Sequence, residues 1–146
     1  MTREQKRAWF NIGIWGIFLL ACLVLFISRG TILFWQDEPM KTTFYVLCGL
    51  VFLSWFTMTA LINLKRVEGE VAADERDIEI DKKAMAVAGP ISMIFVGVTC
   101  LVLMIIYLKG KDSTISPYYL LLIAVFNPAV YWISKAIASL VMYARE

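Results

Sequence analysis

The fold that this chain predicts is all-α and integral to a membrane, with four transmembrane helices. Three observations predict it. Of its 146 residues, 60% are hydrophobic and only 18% charged, far from the balance of soluble domains. The charges are clumped, leaving four uncharged runs: Ala8–Ser28, Thr42–Leu64, Ala84–Leu108 and Ser113–Ser134. Each run reaches the ~20 residues of helix needed to cross a bilayer core.

The first span, about residues 8–28, opens on Trp9 and Phe10, aromatic rings of the kind that anchor at headgroup level. Its apolar stretch is longer than that of a cleavable signal, and no small-x-small site follows before Arg29, so it is expected to be retained. A loop carrying Phe34 and Trp35 leads to the second span, about 42–64. Residues 65–83 hold most of the acid, much of it in "ADERDIEIDKKA", Ala73–Ala84, and precede a third span at about 84–108. The fourth, about 117–142, starts near Tyr118 and Tyr119 and closes on Tyr143.

Basic residues orient the spans. Arg3, Lys6 and Arg7 lie in the N-terminal tail, and Lys65, Arg66, Arg76, Lys82 and Lys83 in the middle loop, against two in each remaining loop. Excess Lys and Arg stays cytoplasmic, so both termini and the acidic stretch are expected inside. The halves also resemble each other: "CLVLFI" at Cys22–Ile27 matches "CLVLMI" at Cys100–Ile105, and "FYVLCGLVF" at Phe44–Phe52 matches "YYLLLIAVF" at Tyr118–Phe126. Their shared order predicts two helical hairpins in parallel repeat, with coincidence in a Leu/Val/Ile-rich alphabet as the alternative.

The chain resembles a family of small prokaryotic four-span membrane proteins of unknown function with an Asp-Glu-Arg-Asp motif between two hairpins. The residues that carry the likeness are Asp74, Glu75, Arg76, Asp77, Ile80, Lys83 and Ala84. The resemblance implies the cytoplasmic (inner) membrane of a bacterium or archaeon, and it brings no activity and no binding residues.

On a helix, Glu70, Asp74, Asp77 and Asp81 follow at intervals of four, three and four, and so line one face. One reading is structural: Asp74 caps the third helix, and acids suit the positive end of its dipole. The other is a docking stripe for a basic partner. A metal is less suited, because no enclosing loop completes an oxygen cage.

Catalytic vocabulary is sparse. The chain has no His, which removes the commonest acid–base catalyst and metal ligand. Cys22, Cys48 and Cys100 all fall within spans and form no C-x-x-C pair. No cofactor or metal is expected. Within the membrane, Ala84, Ala88 and Ser92 form a small-residue row for helix packing. Asn127, beside Pro128, and Lys135 are the polar groups that stand out, the lysine being expected to snorkel to the inner interface.

These features point to a non-catalytic membrane protein acting as an accessory, regulatory or scaffold subunit through its cytoplasmic acidic helix. The expected partners are the lipid bilayer and either a second copy or another membrane protein, not nucleic acid. A small oligomeric transporter or channel is the alternative.

Overall fold

The computed structural model describes residues 3–29, 37–64, 75–109 and 117–145. They form four helices: α1 (Arg3–Arg29), α2 (Glu38–Leu64), α3 (Glu75–Lys109) and α4 (Pro117–Arg145). All four are long and apolar enough to cross a membrane. The architecture is therefore the all-helical, four-span one expected, with no strand among the described residues.

Local chemistry explains where the helices begin and how they keep their polar groups quiet. At the start of α2 the Asp37 carboxylate accepts the Met40 backbone N–H at 3.4 Å, as an N-cap does. Pro117 opens α4 at a position where the missing N–H costs nothing. Hydroxyls that would be bare in hydrocarbon turn back on their own helix: Thr57 donates to the Leu53 carbonyl at 2.9 Å and Thr99 to that of Phe95 at 2.7 Å. Pro90 and Pro128 lie inside helices that continue through them.

The helices are not packed evenly. α3 lies along α4, α4 also packs along α1, and α1 holds α2 by a lesser contact, while α2 and α3 touch only marginally. The buried residues of α1, Ala8, Asn11, Trp15, Phe18 and Cys22, recur at three and four, the seam of a coiled-coil-like interface. Around them cluster Phe44 and Val51 of α2 and Ala129 of α4. Trp15 sits edge-on to Phe52 at 5.5 Å, and Trp55 lies 5.1 Å from Trp132, so aromatic rings join α1, α2 and α4. A parallel repeat with two-fold packing would pair α2 with α3 as closely as α1 with α4. The packing among the described residues is asymmetric instead.

Outside this seam the surface is oil. Ile17, Ile27 and Met93 are 69%, 74% and 77% exposed, among many large apolar side chains left uncovered. Such a surface would aggregate in water and is matched by lipid tails.

Candidate functional site

The polar groups of this molecule converge on the α3–α4 seam and on the end where α1 begins. α3 runs unbroken from Glu75, so the acidic stretch and the third span are one rod of 35 residues, about 52 Å long at ~1.5 Å per residue. A bilayer core takes ~30 Å of that, and the acidic end stands beyond it.

Polar contacts among the described residues tie this rod to α4. The Tyr143 hydroxyl donates to Asp77 Oδ1 at 2.6 Å. One turn deeper, Lys135 Nζ lies 2.8 Å from Asp81 Oδ1, with side-chain exposures of 12% and 37%. Deeper still, the Ser92 hydroxyl donates to Asn127 Oδ1 at 2.6 Å. Lys135 also sits 5.2 Å from the Trp132 ring centre, held by the ring's negative face as well as by the carboxylate.

The sequence-predicted residues are thus distributed as follows. Asp77 and Asp81 are turned toward α4, each with a partner in the chain. Glu70 and Asp74 lie outside the described residues. Ala84 and Ala88 are fully buried, and Ser92 nearly so. Lys135 Nζ reaches the level of Asp81, just before the uncharged run of α3, and is not left to water alone. The Asp81 carboxylate engages it across the helix pair, a contact that hydropathy along one helix does not reveal. Asn127 is not a bare mid-span amide, because Ser92 satisfies its carbonyl.

With Asp77 and Asp81 engaged, another face of α3 is left open. Glu75, Ile78, Lys82 and Met85 are exposed along it, and the same three- and four-residue rhythm leads to Gly89, Met93 and Gly97. There a groove of about 560 Å³ opens, floored by Asn127 and Tyr131 of α4. A Cβ built on Gly89 or Gly97 would meet nothing within 4 Å, so neither glycine is required by a neighbour inside the chain. Sequence reasoning missed the continuation of this face past Met85 to Gly89 and Gly97. Its signal, Gly89 and Gly97 in register with Ile78 and Met85, was legible only as spacing.

A second cavity, of about 260 Å³, lies where the ends of all four helices meet, with Glu4, Asn11, Trp55, Asp81, Trp132 and Lys135 on its walls. A third space, of about 670 Å³, is an apolar groove between α1, α3 and α4 at the other end, lined by Leu23, Phe95, Leu103 and Phe126 among others. The fully buried Trp15 and Phe18 fill α1 between the two. Among the described residues no group of three His, Cys, Asp or Glu side chains could hold a metal ion.

A family model described as "Predicted membrane protein (DUF2178)" matches residues 5–142. No curated protein and no solved structure matches the chain.

Proposed function

We propose a function from the premise that the chain belongs to the DUF2178 family of predicted membrane proteins: it is a non-catalytic subunit, accessory, regulatory or scaffolding in role, that receives a helix of a partner membrane protein along α3. The observation that carries this reading is the open face of α3 from Glu75 to Gly97. It begins on the acidic end and continues as an apolar seam with small residues at Gly89 and Gly97. Membrane helices associate where small residues let backbones approach closely. The clamps at Tyr143 and Lys135 hold the acidic end in fixed register with the span, which presents a preformed surface. The expected acidic contact thereby passes from Asp77 and Asp81 to the neighbouring Glu75, with Ile78 and Met85 beside it, while Glu79 is paired with Lys83 at 2.7 Å.

The test fills the groove. Gly89→Leu and Gly97→Leu place side chains in open space, so the isolated chain is expected to fold and melt as before. Its assemblies, measured by in-membrane crosslinking from Met93→Cys, are expected to be lost. A wild-type chain that crosslinks to neither itself nor another membrane protein, or leucine variants that assemble normally, would refute this reading.

A further inference from the structure

We infer that the cavity at the converging helix ends is a binding site for the headgroup of a zwitterionic aminophospholipid, of the phosphoethanolamine class. Four observations carry this. The first is depth. Glu4 and Asp81 stand just before the uncharged runs that start at Ala8 and Ala84, so the cavity lies at headgroup level and reaches one turn inward to Asn11.

The second is charge. The walls carry two ion pairs, Glu4 with Arg7 at 3.6 Å and Asp81 with Lys135 at 2.8 Å, and so sum to zero. A ligand with a net charge would face a like charge without compensation, whereas a zwitterion meets both signs.

The third is an unsatisfied group. Among the described residues the buried side-chain atoms without a hydrogen-bond partner are the indole N–H groups of Trp15 and Trp55. Buried polar groups are nearly always hydrogen-bonded, and Trp55 stands on the cavity wall. Asn11, 8% exposed, lies on the same wall. An indole N–H in such a place, with an amide beside it, calls for acceptor oxygens, which a phosphate supplies. The Asp81 carboxylate gives Oδ1 to Lys135 and stays 37% exposed. It can take an N–H from a primary ammonium, which a quaternary ammonium cannot offer.

The fourth is access. α2 and α3 face each other across the cavity through Trp55 and Asp81 and barely touch. A headgroup can therefore enter between them while its acyl chains stay in the bilayer.

The experiment is native mass spectrometry of the full chain released from nanodiscs of phosphatidylethanolamine, phosphatidylglycerol and phosphatidylcholine with matched acyl chains. One phosphatidylethanolamine per chain is expected to be retained preferentially over both others. Asn11→Ala and Trp55→Phe are expected to lower that retention by about tenfold, the scale of a hydrogen bond to a charged group, while Thr99→Ala in the distant apolar groove leaves it unchanged. Trp55→Phe keeps the aromatic packing and removes only the donor, so it remains informative if Asn11→Ala folds poorly. Equal retention of phosphatidylcholine or phosphatidylglycerol would overturn the inference, as would wild-type retention in both variants. Glycerophosphoethanolamine without acyl chains is expected not to displace the lipid at equal concentration. Displacement would mean that the site takes a soluble zwitterion, and the lipid assignment would fall.

Discussion

Lys135 and Asp81 illustrate how a single contact changes the meaning of two residues. A lysine inside an apolar run is costly unless it reaches water or an opposite charge, and an aspartate two turns into a helix is poorly explained by capping or dipole. Each resolves the other at 2.8 Å. Asp81→Ala is expected to lower the unfolding free energy by about 2 kcal/mol, between the values for exposed and fully buried pairs, as read by thermal melting in detergent. Asp81→Ala combined with Lys135→Met is expected to recover most of that loss, because no buried ammonium is left alone. Full additivity of the two changes would show that the pair does not interact. The acidic spacing was legible in the sequence and the pairing was not. Spacing along one helix says which residues share a face, whereas the partner of that face depends on how α4 is placed.

At the scale of the element, α3 does two jobs with two faces. One buries Ile80, Ala84, Ala88 and Ser92 at four-residue intervals, and the other leaves Ile78, Met85 and Met93 uncovered by the chain. Ser92→Ala removes the donor that holds the Asn127 carbonyl. It is expected to cost about 1 kcal/mol, in the range found for hydrogen bonds between membrane helices, and Asn127→Leu added to it is expected to relieve part of the cost. If Ser92→Ala melts like the wild type, the 2.6 Å contact contributes nothing to stability. The existence of the four helices was fully readable, because charge-free runs of span length are seldom built into a soluble core and here follow one another four times. Their ends were less so. Read as a cap, Asp74 starts the third helix at residue 75, where α3 begins, but hydropathy alone starts the span only at 84, since an amphipathic extension lacks the hydropathy that marks a span.

Over the whole molecule, the basic residues of the tail and middle loop predict both termini inside. Cysteines placed at Gln36 and Ser113 are expected to label with an impermeant reagent from outside intact cells, and one at Gly69 only after the cells are opened. The reverse pattern would invert the molecule. The uneven packing bears on how the protein is made. Among the described residues α4 is the one helix that packs extensively on two others, α1 and α3, and it is the last of these four to leave the ribosome. Until it arrives, α1 has only its lesser contact with α2, and α3 has almost none. Insertion must therefore precede assembly, with three helices waiting in the bilayer for the fourth to gather them. A chain stopped at residue 116 is expected to insert and then be cleared by quality-control proteases, with a markedly shortened half-life in a pulse–chase experiment. Supplying residues 111–146 as a separate polypeptide is expected to rescue it, because packing along the helices, not the loop between them, makes the join.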